Sequence, residues 1–128
     1  MLRFSPLKHN LLGEANSDGD LRVWDTHKQQ VSVEFPQAHY NSCTAFAFSK
    51  VNKMLLVSGG MDTTLRFFDI QQKTRIKQLN LTNPVTSLDF FTDGFTIALG
   101  DIEGKIDTKH RMCDFNRSQT ELESSAAL

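Results

Sequence analysis

The chain has 128 residues, about one domain's worth, with 14 Lys+Arg against 15 Asp+Glu and a formal net charge of −1. That balance leaves no basic stripe to neutralise phosphates, so nucleic acid is not an expected partner. No run approaches the ~18 apolar residues of a membrane span, so no membrane partner is expected either. The apolar stretch of a signal peptide is missing after Met1, because Pro6, Lys8 and His9 interrupt it. Cys43 and Cys113 form no CxxC and read as reduced thiols. The expected compartment is the cytoplasm.

In chain order, Leu2–Phe4 reads as the tail of a strand and Ser5–Lys8 as a turn. Asn10–Ala15 and Leu21–Trp24 follow as strands, joined at Asp18-Gly19, residues that tolerate the positive φ of a tight hairpin. Gln30–Glu34 alternates Val31 and Val33 with Ser32 and Glu34, and Pro36, which has no N–H to donate, ends it. Cys43–Phe48, Leu55–Ser58 and Leu65–Phe68 repeat the cycle, with Gly59-Gly60 expected in the hairpin between the last two. Thr74–Leu79 is the next outer strand. Val85–Phe90, Thr96–Gly100 and Lys105-Ile106 make a third cycle. From about residue 107 the chain turns polar, and Ser118–Leu128 has too few apolar residues to offset the entropy of ordering it. That tail is expected to be disordered rather than helical.

One phrase recurs: SDGDLRVWD at 17–25 and MDTTLRFFD at 61–69. Asp25 and Asp69 stand 44 residues apart (69 − 25), and so do Asp18 and Asp62. A period of ~40–45 residues ending in an aromatic-Asp pair, with a His before a hydrophobic strand, resembles the WD40 propeller blade. The resemblance implies an all-β chain: a partial WD40 β-propeller of about two and a half to three blades of antiparallel strands, with an irregular C-terminal tail. Blades end near 25 and 69, the third is truncated, and the expected division is propeller over 1–106 and tail over 107–128.

In a complete WD40 blade, a His, a Ser/Thr, an Asp and a Trp form a hydrogen-bonded set. The second blade offers His39, Ser58 and Asp62, with Phe68 in place of Trp. The first offers Asp18 and Trp24, with Glu14 where a Ser would sit. These residues are expected to hold the blades together, and Asp25 and Asp69 are the repeat-end aspartates. A Ser-His-Asp triad is the competing reading of His39, Ser58 and Asp62. No Gly-x-Ser-x-Gly surrounds Ser58, and the repeat accounts for all three residues without catalysis. His110 and Cys113 lack the second pair a zinc site needs, and no phosphate-cradling glycine pattern exists, so no metal, no cofactor and no enzyme activity are expected. His9 and His27 read as solvated turn residues. Phe67 and Phe68, neighbours on a strand, face opposite ways and are both expected to be buried. One of Phe90 and Phe91 is expected to be exposed.

SPLKHNLLGEANSDGDLRVWD, VNKMLLVSGGMDTTLRFFDI and NPVTSLDFFTDGFTIALGDIEGKI carry a closer similarity, over roughly residues 3–106. Together they resemble part of the propeller of the centrosomal WD40 adaptors that recruit γ-tubulin ring complexes. After Ile106 that family continues with an aromatic-Asp-Leu-Arg ending, which only Arg111-Met112 echoes here, with a shift. The resemblance implies a non-catalytic scaffold with protein partners, at the centrosome and spindle, in microtubule nucleation. In that family a separate helical segment binds γ-tubulin, and these 128 residues hold no counterpart of it. Targeting is therefore the property that carries over, with centrosomal proteins or the γ-tubulin ring complex as partners. The alternative is a degenerate or truncated propeller without independent function, or one that assembles with blades of another chain.

An open stack of blades leaves a bare face at each end. Strands of ~17–20 Å, four abreast at ~4.8 Å, give about 350 Å² per face, the size of the largest apolar patch on a typical monomer. Self-association through the open faces, or aggregation, is the expected behaviour of the isolated chain. Light scattering after size exclusion tests it, and a monodisperse, cooperatively melting monomer would contradict it.

Overall fold

The computed structural model describes residues 1–94 and 96–110. Among these described residues, eleven strands form three antiparallel sheets. The first holds β1 (Leu2–Phe4), β2 (Leu11–Ala15), β3 (Leu21–Asp25) and β4 (Gln30–Phe35) in chain order. The second holds β5 (Cys43–Phe48), β6 (Leu55–Gly60), β7 (Thr64–Asp69) and β8 (Thr74–Asn80). The third holds β9 (Val85–Phe90), β10 (Thr96–Asp101) and β11 (Ile106–His110). The architecture is all-β, in three successive blades that do not close a ring.

The alternation of side chains decides how the blades stack. Along β2 and β3, Leu11, Ala15, Leu21 and Val23 point to one face and pack with Val33 and Phe35 against Phe46, Phe48, Leu56 and Phe68 of the second blade. The other face of that blade presents Ala45, Ala47, Leu55, Val57, Leu65 and Phe67 to Val85, Leu88, Phe90, Ile97 and Leu99 of the third. Phe67 and Phe68 are thus both buried, on opposite faces. Phe90 is buried and Phe91 is the exposed member of its pair. Arg3 on β1 links all three blades, donating from Nη1 to the carbonyls of Phe46 and Leu88 at 3.3 Å each.

The 44-residue period is written into the backbone as well. Pairing shifts by one residue between Val23 and Trp24, and again between Phe67 and Phe68. Gln29 and Lys73 take the same left-handed turn conformation at φ 54° and 59°.

Two boundaries differ from the sequence reading. Gly59 and Gly60 lie in β6, and the hairpin reverses after them, with Thr63 at φ 65°. They are glycines because of close neighbours: a Cβ would meet Val85 at 2.7 Å from Gly59, and the His39 ring at 2.6 Å from Gly60. The third blade also continues past residue 106, since β11 pairs with β10 through His110. A ladder of backbone hydrogen bonds does not need apolar side chains, so a polar edge strand leaves little periodic signal. The rest of the expected tail, from residue 111, lies outside the described residues.

Gly13 shows how tightly the first two blades meet. A Cβ there would sit 2.3 Å from Cε2 of Phe46, itself fully buried. Gly13→Ala is expected to destabilise the chain by about 1–3 kcal/mol, because an enclosed ring cannot swing aside cheaply. Urea unfolding followed by Trp24 fluorescence measures this. An unchanged midpoint would show that Phe46 can repack.

Candidate functional site

The densest polar cluster lies where the loop after β4 meets the β6–β7 hairpin. His39 is anchored by its own N–H on the Gly19 carbonyl at 3.1 Å, and its ring enters the second blade with no exposed surface. Its Nδ1 lies 2.9 Å from Asp62 Oδ1 and its Nε2 lies 2.7 Å from Ser58 Oγ. Asp62 also accepts the Thr64 N–H at 3.2 Å, the Thr64 hydroxyl at 2.8 Å and the Tyr40 N–H at 3.0 Å. One carboxylate thereby ties together the loop, the hairpin and the start of β7. The structure brings His39, Ser58 and Asp62 into contact.

Burial pushes the His39 pKa down, and the pull of Asp62 in the other direction does not restore it. A neutral ring then donates from Nδ1 to Asp62 and accepts the Ser58 hydroxyl proton at Nε2. Burial pushes the Asp62 carboxyl up, but hydrogen bonds from His39, Thr64 and Tyr40 outweigh it and hold it below its ordinary value. Ser58 is fully buried. The atoms stand as in a Ser-His-Asp triad, yet no substrate carbonyl can approach Oγ without opening the blade.

The first blade solves the same problem with different atoms. Trp24 donates its indole N–H to Glu14 Oε2 at 2.8 Å, so Glu14 stands in for the serine. Asp18, expected in the set, stays out of it: its side chain is exposed, and its N–H donates to Asn16 Oδ1 at 3.0 Å. With no imidazole to hold, the turn is organised by Asn16 instead, while Asp20 takes the Gln37 N–H at 2.8 Å. The repeat-end aspartates cap turns. Asp25 accepts the N–H groups of His27 and Lys28, and Asp69 accepts that of Gln72. The Lys28 N–H leads the bonds that lower the Asp25 pKa.

Arg66 was not singled out by the sequence reading, although Leu-Arg precedes the aromatic pair in both repeats. Its side chain is buried, donates to the Ala38 carbonyl, and places Nη2 3.6 Å from Asp62 Oδ2. Its guanidinium carbon lies 5.4 Å from the ring centre of Tyr40, which is 85% exposed. Its first-blade counterpart Arg22 reaches Glu14, Asp20 and Glu34 at 3.3–3.5 Å. Thr64 was missed as well, since a Thr at a strand start carries no distinctive pattern.

The remaining candidates are placed as follows. His9 and His27 are exposed. Burial raises the Cys43 thiol to about 12, so it stays protonated and unreactive. The side chain of His110, and Cys113, lie outside the described residues. Among the described residues no group of His, Cys, Asp and Glu could hold a metal ion, and no helix is long and apolar enough to cross a membrane.

Two four-stranded blades and a third of three strands, a buried His-Ser-Asp set and an aromatic-Asp turn that recurs after 44 residues define propeller repeats. The family model "WD domain, G-beta repeat" matches residues 29–69, from the outer strand of one blade to the aromatic-Asp of the next. The chain thus carries a WD40 repeat over these residues.

Human Protein NEDD1 is 34% identical to it over 105 residues, which is 82% of this chain and 16% of that protein. The bovine protein of the same name matches to the same extent, and the mouse protein is 32% identical. The chain therefore spans only 16% of the length of these relatives. In structure it is similar to the β-propeller domain of Myceliophteria thermophila Cps50 (Swd1). The TM-score is 0.76 at 18% identity, covering 87% of this chain and 35% of that one, a likeness of fold.

His39→Ala is expected to cost about 1–3 kcal/mol, because Ser58 and Asp62 lose a buried partner. The pH dependence follows from the lowered His39 pKa. The unfolded imidazole, near 6.5, takes up a proton first, so this contribution is complete above about pH 6.5 and declines as pH falls below it. The Asp62 contribution, with its pKa also lowered, is lost only at more acid pH, as its own folded pKa is crossed. Urea midpoints from pH 7.5 to 5.5 should fall in the native chain and stay flatter in His39→Gln. Equal slopes in both would assign the dependence to another group.

Proposed function

We propose that the chain is a non-catalytic protein-interaction scaffold that contributes to placing γ-tubulin complexes at centrosomes and spindle poles. The observation that carries this reading is the 105-residue match at 34% identity to Protein NEDD1, coincident with the resemblance to the γ-tubulin-recruiting adaptors. The His39, Ser58 and Asp62 set, with Trp24 and Glu14 in the first blade, serves as an internal fastener. Its buried Ser58 Oγ favours a structural role over a catalytic one.

A second reading, assembly with blades of another chain, draws on the outer face of the first blade. Leu2 and Phe4 are 67% and 60% exposed there. Beside them a cleft of about 490 Å³ is lined by Leu2, Leu12, Glu14 and Trp24. The corresponding residues of the second blade, Leu56, Ser58 and Phe68, are buried by a neighbour.

A fluorescent-protein fusion of the chain, expressed in dividing cells, should concentrate at centrosomes without co-precipitating γ-tubulin. A folded fusion that stays diffuse through mitosis would defeat the first reading. If the outer face takes another blade, Leu2→Glu with Phe4→Glu should convert an oligomer to monomer in light scattering. Unchanged mass would dismiss the second.

A further inference from the structure

We propose that the cleft between the outer strands of the first two blades is a docking site for an acidic peptide. It has a volume of about 370 Å³ and runs between β4 on one side and β7–β8 on the other. Its floor is apolar: Phe35 and Phe68 line it with ring centres 4.4 Å apart. Its wall is cationic, formed by Arg66, Lys73 and Arg75.

The charges of this cleft do not cancel. Glu34 is the acid that lines it; it shares Arg22, whose Nε lies 3.3 Å away, with Glu14 and Asp20, so it offsets one cation of the cleft. Arg66 is balanced by Asp62 at 3.6 Å, while its buried Nε has no hydrogen-bond partner among the described residues. Lys73 and Arg75 have no ion-pair partner among the described residues, and Arg75 donates to the neutral Gln78 at 3.3 Å. Lys73 and Arg75 thus leave an excess of positive charge beside an apolar floor. The register fixes the arrangement, since Arg75 pairs directly opposite Phe68 and Lys73 ends the turn that leads into the same strand.

β4 and β8 are the outermost strands of their sheets, so the rim also offers unpaired backbone donors and acceptors. An extended chain can use these, with flanking anions on Lys73 and Arg75 and a small apolar contact at the rims of Phe35 and Phe68, which are 7% and 2% exposed. Nucleic acid fits poorly: two free cations in a narrow cleft, on a chain of net charge −1, give little phosphate neutralisation. The anion is a carboxylate or a phosphate on a peptide.

Three fluorescein-labelled peptides test this: glutamates flanking a leucine, the same peptide with one phosphoserine, and a glutamine counterpart. Binding to the purified 128-residue chain is read by fluorescence anisotropy at two salt concentrations. Both acidic peptides should bind and weaken with salt, and the glutamine peptide should not bind. Lys73→Glu with Arg75→Glu, both exposed positions, should lower affinity about tenfold or more, Arg75→Gln less, and Lys105→Glu on the third blade not at all. Tighter binding of the phosphopeptide would identify a modified partner, and equal binding an unmodified acidic one. Equal binding of the glutamine peptide, an unaffected double variant, or no binding at millimolar peptide would overturn the proposal. It rests only on the protein-interaction reading. A chain that reaches centrosomes yet ignores these peptides loses the cleft and keeps that reading, and a diffuse chain that binds them does the reverse.

Discussion

A blade with two apolar faces needs a neighbour on each side, and the rest of this structure depends on that requirement. The second blade meets it: Phe46, Leu56 and Phe68 are buried against the first blade, and Ala47, Val57 and Phe67 against the third. At roughly 25 cal/mol per Å² of apolar surface, such faces dominate the stability of each blade, far ahead of any single polar contact. Gly13 and Gly59 follow from the same demand, because the facing Phe46 and Val85 occupy the space where a Cβ would stand.

Polar groups at the interface are mostly satisfied within their blades, the buried Arg66 Nε being the exception among the described residues. His39, Ser58, Thr64 and Asp62 satisfy one another inside the second blade, and Glu14 takes both the Trp24 indole and Arg22 in the first. The two solutions occupy equivalent strand positions and use different chemistry. A buried donor needs an acceptor in the right place, and either a hydroxyl-imidazole pair or a carboxylate supplies it. Arg22 and Arg66 extend the same logic outward, toward a cluster of carboxylates in one case and toward Asp62 and a backbone carbonyl in the other.

Much of the fold was legible in the chain. Alternation marked Gln30–Glu34, the repeated phrase marked its neighbours, Asp18-Gly19 marked a hairpin, and the adjacent Phe67-Phe68 pair signalled a sheet covered on both faces. Other features were not. Gly59-Gly60 looked like a turn because glycine favours turns, whereas its reason is the proximity of Val85 and His39, distant in sequence. Asp18 shares its repeat position with Asp62 yet plays no equivalent part, since an aspartate joins such a set only where an imidazole arrives to meet it. Arg66 was visible as a repeated letter but not as a buried cation, because surroundings rather than residue type decide burial.

By itself the sequence determined the repeat length and the strand pattern, which follow from local periodicity and from spacing that recurs along the chain. The all-β class and the set of His39, Ser58 and Asp62 came with its resemblance to the WD40 repeat. Only the tertiary structure decided which face each blade offers its neighbour, that Glu14 takes the Trp24 indole N–H, and that Arg66, Lys73 and Arg75 line one cleft with Phe35 and Phe68. Those outcomes depend on residues from different blades being pressed together, and the distance between blades is not written in the spacing of letters.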